Sequence, residues 1–287
     1  MIGFNALGRM GRLCNQMFQY AALKGIARNT GAEICIPYYE EAVDDGIGNM
    51  LRTELFDSFD LDVKRQLLNN GHAPVVSERF FHFDEELFNK CPNKVSLHGF
   101  FQSWRYFANV QDEIRGDFTF HDEHLKPCQE MIESVKEPIM LHVRRGDPNL
   151  TDVRGFKWSY TQCGSMHPVQ PVEYYEKALA EFPEDQPVIV FSDSIDWVKE
   201  QEFFAGDRFL LSEPKDKYAD GSFTPYADLC LMSLCSHAII ANSSMSWWGA
   251  WLQTNPDKKV IAPKMWFGTD YKDKDTSDLY SPDWILL

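Results

Sequence analysis

The sequence predicts an α/β protein whose second half forms a parallel sheet with helices on both faces. From Pro138 onward, short apolar runs alternate with stretches of helical periodicity, which is the pattern of strand–helix–strand units. Polar and charged residues follow the ends of several of these apolar runs. Parallel sheets bind ligands at the carboxyl ends of their strands, so these positions are the first place to look for a site.

The first half begins with a similar pattern and then loses it. A strand is predicted at Ile2–Leu7, followed by a glycine-containing turn, a helix and a second strand at Glu33–Ile36. Residues 38–135 have few periodic runs, and mixed short helices and loops are predicted there. The polar stretch Lys126–Pro138 separates the two halves, which predicts domains at residues 1–135 and 136–287.

The second half can be assigned element by element. Its predicted strands are Ile139–Val143, Val188–Phe191, Phe209–Leu211, Ala238–Ala241 and Val260–Ala262. Its predicted helices are Val172–Phe182, Ser194–Phe204, Pro225–Cys235 and Met245–Leu252. Trp247 and Trp251 share one face of the last helix, which indicates a core position more than a surface for stacking on sugars.

Composition excludes several classes of protein. The 287 residues carry a net charge of −15, which argues against binding to nucleic acid or to anionic membranes. No apolar run is long enough to span a bilayer. The seven cysteines are scattered and odd in number, which favours reduced thiols. We therefore expect a soluble protein of a reducing, cytosol-like compartment.

The stretch HVRRGD, His142–Asp147, closes one predicted strand with two adjacent arginines. A guanidinium group matches a phosphate with two parallel hydrogen bonds, so the turn predicts a site for a small phosphorylated ligand. One of the two arginines could instead pair with Asp147 or another carboxylate for structural reasons. The interpretation that both arginines form such structural pairs within one strand-end turn is less favoured.

A second candidate anion site follows the strand Ala238–Ala241. Asn242, Ser243, Ser244 and Ser246 lie where the next helix begins, and the unpaired N–H groups of a helix start favour phosphate. The alternative is that a serine is simply the helix cap. Asp193 follows a third strand end.

Other cofactor and metal signatures are absent from the sequence. It contains neither GxxxxGK[ST] nor GxGxxG, which argues against a P-loop and a dinucleotide fold. The carboxylate pairs Asp60/Asp62 and Asp273/Asp275 do not follow predicted strands, and we interpret them as solvated surface. No metal site and no cofactor are expected.

Three stretches together resemble one enzyme family. They are Gly11–Met17 (GRLCNQM), HVRRGD, and Asp228–Leu252 (DLCLMSLCSHAIIANSSMSWWGAWL). This set resembles the α-1,2-fucosyltransferases of glycosyltransferase family 11. HxRRxD also occurs in other fucosyltransferases, so the NSSMSWWGAW stretch is what points to the α-1,2 branch.

The resemblance implies a fold, a reaction and a setting. The fold would be of GT-B type, with two Rossmann-like domains facing a cleft, an N-terminal acceptor-side domain and a C-terminal domain binding the nucleotide sugar. The reaction would move L-fucose from GDP-β-L-fucose, with inversion and without a metal, to a galactose-containing glycan, with O2 of the galactoside as acceptor atom. Animal relatives carry an N-terminal membrane anchor that this sequence lacks, which suggests a bacterial or viral enzyme of the cytoplasm. Transfer of another GDP-sugar, another fucosyl linkage, or a non-catalytic GDP-sugar-binding or glycan-binding module remain alternatives.

Residue roles carried over from the family are also expectations. Arg144 would bind the β-phosphate with Arg145 in support, and Asp147 would be a possible base. His142 would lie near the guanine, which Asp193 would read. The remaining expected donor-site residues are Arg12, Gln16, Asn242, Ser243, Ser244 and Ser246, with Asn15 near the fucose and the acceptor. The long segment between Asp147 and Tyr174 is expected to shape the acceptor site.

Overall fold

The computed structural model describes residues 1–46, 50–146, 163–213, 217–218 and 224–287. These divide into two compact units. The first consists mainly of residues before Asp122 together with Asp273–Pro282, and the second mainly of Asp122–Lys272 and Asp283–Leu287. The chain thus returns to the first unit near its end, and the domain boundary after residue 135 stays a prediction.

The first unit contains a parallel sheet of five strands in the order β5-β2-β1-β7-β6. The strands are β1 (Ile2–Gly3), β2 (Ile34–Ile36), β5 (Lys64–Arg65), β6 (Val75–Ser77) and β7 (Ser96–His98). A separate antiparallel pair consists of β3 (Val43–Asp44) and β4 (Met50–Leu51).

Two sequence-based expectations for this unit are corrected. The first strand ends at Gly3 and not at Leu7, because the N–H of Leu7 turns back to the carbonyl oxygen of Phe4 at 3.0 Å. Strands β5, β6 and β7 lie in the region expected to hold only short helices and loops. They are two or three residues long and partly exposed, with Val75 61% exposed, so they leave no apolar run to detect.

The long helix α1 (Leu13–Thr30) is buried around most of its circumference, and it ends at Gly31 in the left-handed conformation (φ 68°). Shorter helices follow: α2 (Leu55–Ser58), α3 (Glu85–Lys90) and α4 (Gln111–Asp117), with 3₁₀ segments at Leu68–Gly71 and Trp104–Val110.

The second unit contains a parallel sheet of six strands in the order β10-β9-β8-β11-β12-β13. The strands are β8 (Ile139–Val143), β9 (Val188–Ser192), β10 (Phe209–Leu211), β11 (His237–Ile239), β12 (Val260–Ala262) and β13 (Ile285–Leu286). Every residue of β8 is buried, as expected for a strand covered on both faces. The sequence prediction located all of these strands except the short, exposed β13.

The helices of the second unit follow the predicted alternation. They are α5 (Asp122–Glu133), α6 (Val172–Leu179), α7 (Ile195–Glu200), α8 (Tyr226–Leu234) and α9 (Ser244–Leu252), with 3₁₀ segments at Glu202–Phe204 and Thr269–Tyr271. The helix predicted at Ser194–Phe204 is broken at Gln201, whose backbone is extended (φ −86°, ψ 121°). Two Rossmann-like parallel sheets with helices confirm the predicted α/β class.

Other expectations from composition can be compared with the structure. Trp247 and Trp248 are fully buried and Trp251 is 6% exposed, which confirms the core interpretation of the tryptophans. All seven cysteines are free thiols, and six of them are buried. Within the described ranges, no helix combines the length and the apolarity that crossing a membrane requires.

Two glycines in the first unit provide a test of the packing around α1. A Cβ built on Gly25 would lie 1.9 Å from the backbone oxygen of Tyr106, whereas a Cβ on Gly116 in α4 would meet nothing within 4 Å. We expect Gly25→Ala to lower the free energy of unfolding by at least ~2 kcal/mol, because a backbone carbonyl cannot move aside cheaply.

Gly116→Ala is the matched control, and it should raise the free energy of unfolding by up to ~1 kcal/mol through helix propensity. Urea denaturation of both variants measures the difference. Equal effects of the two substitutions would show that α1 does not pack against the 3₁₀ segment as described.

Candidate functional site

The strongest candidate site begins where β8 ends. Arg144, Arg145 and Gly146 follow Val143 in a turn, and Gly146 has a positive φ of 81°. Asp193 follows β9, the neighbouring strand, and residues Val143 and Ser192 are paired across the two strands. Adjacent strands therefore bring the carboxylate and the arginine turn to the same edge of the sheet.

Asp193 holds this turn with both of its carboxylate oxygens. Oδ1 accepts the backbone N–H of Arg145 at 3.0 Å, and Oδ2 accepts the N–H of Gly146 at 2.8 Å. Oδ2 also pairs with Nη1 of Arg144 at 2.7 Å. The sequence suggested that Asp193 reads guanine, but these contacts favour a role in fixing the turn. Ser194, which the sequence did not single out, closes it further by donating to the carbonyl oxygen of Gly146 at 2.7 Å.

The two arginines are placed differently. The Arg144 side chain is 34% exposed, and the carboxylate of Asp193 orients its guanidinium. The Arg145 guanidinium lies 3.8 Å from the ring centroid of Trp197 in α7, and burial lowers its pKa. This arrangement favours Arg144 for contacting a ligand and Arg145 for support, which are the roles that the family resemblance implied and which stay predictions.

His142 lies inside β8 and is only 4% exposed. Burial lowers the pKa of His142 to about 4, with the positive charge of Arg144 acting in the same direction and Asp193 opposing it. The ring is therefore neutral at pH 7. Its Nδ1 atom is buried and has no hydrogen-bond partner in the described part of the chain.

The predicted serines at the start of α9 divide into different roles. The Ser243 side chain accepts the N–H of Met245 at 3.3 Å and caps the helix. Ser246 is fully buried and donates to backbone carbonyl oxygens within the helix start. Ser244 is half-buried, and its hydroxyl makes no hydrogen bond with another described residue. Ser244 is thus the serine best suited to meet an anion.

Asn242 was expected to bind the donor, but its side chain is 3% exposed and is used inside the protein. Its Nδ2 donates to the carbonyl oxygens of Pro168 at 2.8 Å and Trp266 at 3.1 Å, and its Oδ1 accepts from Gln170 at 3.3 Å. Asn242 therefore fastens the segment before α6 beside the end of β11.

His167 is carried by that fastened segment. Its ring centroid lies 5.8 Å from that of Phe267, and burial together with the charge of Arg144 lowers its pKa. The electrostatic effect of Arg144 indicates that His167 belongs to the surroundings of the arginine turn. In the sequence, a lone loop histidine before a proline could be a base, but such a residue is more often simply solvated.

Some predicted features fall outside the described residues. Asp147, the suggested base, is one of them, and so is most of the long segment before Tyr174, of which only residues 163–173 are described. Their roles stay predictions.

The remaining predicted residues belong to the first unit, at the start of α1. Arg12 donates to Glu54 through Nε at 3.0 Å and Nη2 at 2.8 Å, and the N–H of Leu13 donates to the same carboxylate at 2.5 Å. Gln16 is fully buried, and it accepts the N–H of Glu54 while donating to the carbonyl oxygens of Gly11 and Arg52. This geometry favours a structural role for Gln16 over the expected contact with the donor.

Asn15 is the third residue of the same helix and is half-buried. Its Oδ1 accepts a hydrogen bond from Nε2 of Gln102 at 2.9 Å. A Cβ on Gly11 would come within 2.6 Å of Asn15, so glycine at that position (φ 79°) leaves room for the amide.

Asp228 in α8 is a carboxylate that sequence reasoning missed. Its Oδ1 accepts from the hydroxyl of Ser212 at 2.7 Å, and burial raises its pKa. Ser212 directly follows β10, and its N–H donates to Val190 of β9, so Asp228 lies at the same edge of the sheet as Asp193. An acid in the first turn of a helix looks like a complement to the helix dipole, which hides such a residue in the sequence.

Comparison with known protein families shows to which family the chain belongs. Residues 1–287 match Glycosyl transferase family 11 over the whole length of the chain. The chain belongs to this family. It is therefore a glycosyltransferase, and the family recognised from its motifs is confirmed.

Relatives from bacteria and mammals match most of the chain. It is 31% identical over 232 residues to the O-antigen biosynthesis glycosyltransferase WbnK of Escherichia coli, covering 77% of this chain and 69% of that protein. It is 29% identical to an alpha-1,2-colitosyltransferase of Escherichia coli, covering 90% of each. It is 26% identical to galactoside alpha-(1,2)-fucosyltransferase 2 of Mus musculus, covering 87% of this chain and 68% of that one.

The fold also has a solved counterpart. The crystal structure of POFUT1 in complex with GDP matches 91% of this chain and 97% of that chain, with a TM-score of 0.52 and 12% identity. At that identity the likeness concerns the fold alone. Together with the two Rossmann-like sheets, it confirms the GT-B class predicted from sequence.

Nucleotide binding can separate the roles of the two carboxylates, Asp193 and Asp228, at this edge of the second sheet. We expect Asp193→Asn to weaken GDP and inorganic pyrophosphate alike, roughly ten- to a hundredfold, because the arginine turn loses charge-assisted bonds. Asp228→Asn should weaken GDP while sparing pyrophosphate, because a buried carboxylate can accept two N–H groups from the guanine edge.

Calorimetric titration of both variants with GDP, UDP and pyrophosphate measures this, with thermal unfolding as a control for folding. If Asp193→Asn spares pyrophosphate and loses GDP, then Asp193 reads the base after all.

Proposed function

We propose that this protein transfers L-fucose from GDP-β-L-fucose to O2 of a galactoside in a glycan acceptor, with inversion at the anomeric carbon. Membership of family 11 and the mammalian galactoside alpha-(1,2)-fucosyltransferase relative support the reaction. The observation that carries the proposal is the arginine turn fixed by Asp193, because it offers an oriented cation at a strand end. The cytoplasm, expected from seven reduced thiols, is part of the proposal.

The proposed reaction develops charge in two places. The bond between fucose C1 and the β-phosphate oxygen breaks, so positive charge grows at C1 and negative charge grows on the leaving GDP. Arg144 would stabilise that negative charge, and the Ser244 hydroxyl and the start of α9 would add donors to the same diphosphate. The acceptor hydroxyl would attack C1 from the opposite face, and it would pass its proton to a base, for which Asp147 stays the candidate.

The orientation of the Arg144 guanidinium before the reaction determines how strongly it would stabilise the charge on the leaving GDP. A donor already oriented toward the developing charge stabilises it without reorganising at the moment of reaction. The ion pair with Asp193 supplies this orientation, and the stacking of Arg145 on Trp197 helps to hold the turn in place.

A related donor is a second candidate, because one relative is an alpha-1,2-colitosyltransferase that aligns over 90% of both chains. Colitose is fucose without its 3-hydroxyl group, so the same diphosphate site would serve either sugar. The two donors differ only at position 3 of the sugar, so only residues that contact this position would distinguish them.

The deciding experiment compares GDP-fucose and GDP-colitose as donors, each with lactose and methyl β-galactoside as acceptors. Products are then analysed for linkage position and anomeric configuration. An α-1,2-fucosylated product with GDP-fucose preferred supports the proposal. Preferred use of GDP-colitose, or a different linkage, replaces it.

Replacing Arg144 by lysine tests the role of the oriented cation. Lysine keeps the charge but loses the planar fork, so kcat at saturating GDP-fucose should fall roughly 100- to 1000-fold, corresponding to ~2.7–4 kcal/mol of barrier. Arg145→Lys is the matched comparison, and it should lower the melting temperature more and kcat less, because its partner is Trp197. Wild-type turnover by Arg144→Lys would make that arginine structural.

The proposed site uses arginine and helix-start donors, so we propose that it works without a divalent metal. GDP should therefore raise the melting temperature equally in EDTA and in added Mn²⁺. Transfer rates measured under the same two conditions complete the test. A strict requirement for a divalent cation would contradict this part of the proposal.

A further inference from the structure

The device that builds the arginine turn of the second unit occurs again in the first unit. Glu78 directly follows β6, as Asp193 directly follows β9. Its Oε2 accepts the backbone N–H of Phe100 at 2.8 Å, and its Oε1 accepts that of Phe101 at 2.9 Å. In both units, one carboxylate therefore holds two consecutive N–H groups of the turn that follows the neighbouring parallel strand.

The two turns also agree in position. Phe100 and Phe101 are the second and third residues after His98, the end of β7. Arg145 and Gly146 are the second and third residues after Val143, the end of β8. The strand ends are paired in the same way, with Ser77 opposite His98 in one sheet and Ser192 opposite Val143 in the other.

The turn of the first unit is strained, which argues that its shape is needed. Phe101 occupies the place of Gly146 and also has a positive φ, of 53°, a conformation that is unfavourable for a residue with a side chain. Its buried ring is held between Phe4 and Tyr106, at centroid distances of 5.9 and 5.2 Å. Gly99 has a φ of 154°, and a Cβ there would lie 2.4 Å from that of Glu78.

What the strained turn presents is an aromatic ring. Phe100 is 42% exposed, and no aromatic ring or cation among the described residues contacts its ring. Two residues further along the chain, Gln102 is half-buried and donates to Asn15 at the start of α1. A partly exposed aromatic ring and a pair of side-chain amides thus belong to the same short turn and its hydrogen-bond partner at the carboxyl edge of the first sheet.

This combination suits a sugar ring. A pyranose has an apolar face of C–H groups that stacks on aromatic rings, and its hydroxyls pair with amide groups that both donate and accept. The carboxyl edge of a parallel sheet is also where α/β proteins bind small ligands. A purely structural clamp would explain Glu78, but it would not explain why a strained turn leaves an aromatic residue 42% exposed.

We propose that the Glu78-clamped turn, residues 99–102, binds the galactose ring of the acceptor, with Phe100 against its apolar face and the Gln102–Asn15 amide pair toward its hydroxyls. This inference rests on the proposed function for the identity of the sugar. Glu78 is a positioning residue in this scheme, and Phe100 is the contact that decides affinity.

The test compares two phenylalanines of equal exposure at the same sheet edge. Phe80, also 42% exposed, follows β6, and its ring is already stacked on His82 at 4.8 Å. Phe100→Leu should raise KM for lactose about tenfold with kcat and the KM for GDP-fucose within about twofold of wild type. Phe80→Leu should leave all three constants within about twofold of wild type. Phe100→Tyr keeps an aromatic ring, so it should retain the wild-type KM for lactose.

Saturation-transfer NMR with methyl β-galactoside and GDP reads the same contact without turnover. Wild type should transfer magnetisation to the ring protons of the apolar face, and Phe100→Leu should lose most of this signal. An unchanged lactose KM and NMR signal in Phe100→Leu, or an equal loss in Phe80→Leu, overturns the inference.

The two proposals can fail separately. If wild type transfers no sugar to galactosides, the proposed function fails, and the NMR comparison is repeated with a panel of methyl glycosides. A glycoside signal that depends on Phe100 then supports a sugar-binding turn with a different sugar. Absence of any Phe100-dependent signal across the panel rejects the turn as a sugar site.

Discussion

The site of the second unit depends on one carboxylate that accepts hydrogen bonds from the backbone. Asp193 receives N–H groups from Arg145 and Gly146 and pairs with the guanidinium of Arg144. Hydrogen bonds to a charged group contribute roughly 1.5–3 kcal/mol each, and a buried N–H left without a partner costs about as much. These bonds hold the backbone of the turn, and the ion pair with Asp193 sets the direction of the Arg144 guanidinium.

This arrangement shows how an acidic protein can concentrate positive charge locally. The chain carries a net charge of −15, yet two adjacent arginines follow β8, and the guanidinium of Arg144 pairs with the carboxylate of Asp193. Trp197 covers the guanidinium of Arg145 with an aromatic face. Residues 144–146, the described part of the turn, thus carry two cationic side chains at a strand end.

The sequence predicted the second unit well and the first unit poorly, and the reason is burial. Strand β8 is covered on both faces, so its apolar run Ile139–Val143 can be read directly. Strand β5 is Lys64–Arg65, exposed at both residues, and only its pairing with β2 makes it a strand. Such a strand is defined by a neighbour that is distant in sequence, which local periodicity cannot show.

The same distinction applies to the site residues. The arginine turn was predicted because strand ends in parallel sheets are known positions and two adjacent arginines are unusual there. Asn242 and Gln16 were expected to contact the ligand, but the side-chain amide of each donates hydrogen bonds to backbone carbonyl oxygens of other segments. Those partners are not visible in the sequence. Asp228 and Glu78 were missed for the opposite reason, because single acids in an acidic chain resemble solvated surface.

The repeated clamp separates the shape of a turn from the chemistry it presents. In both units the carboxylate accepts the backbone N–H groups at the second and third positions after a strand, so the side chains at those two positions can differ without changing these contacts. Asp193 additionally pairs with the guanidinium of Arg144 at the first position. The second position is Arg145 in one unit, stacked inward on Trp197, and Phe100 in the other, open to solvent. The first position is Arg144 in one turn and Gly99 in the other, where the close approach of Glu78 excludes any side chain. One backbone device can thus present two arginines in one sheet and a partly exposed aromatic ring in the other.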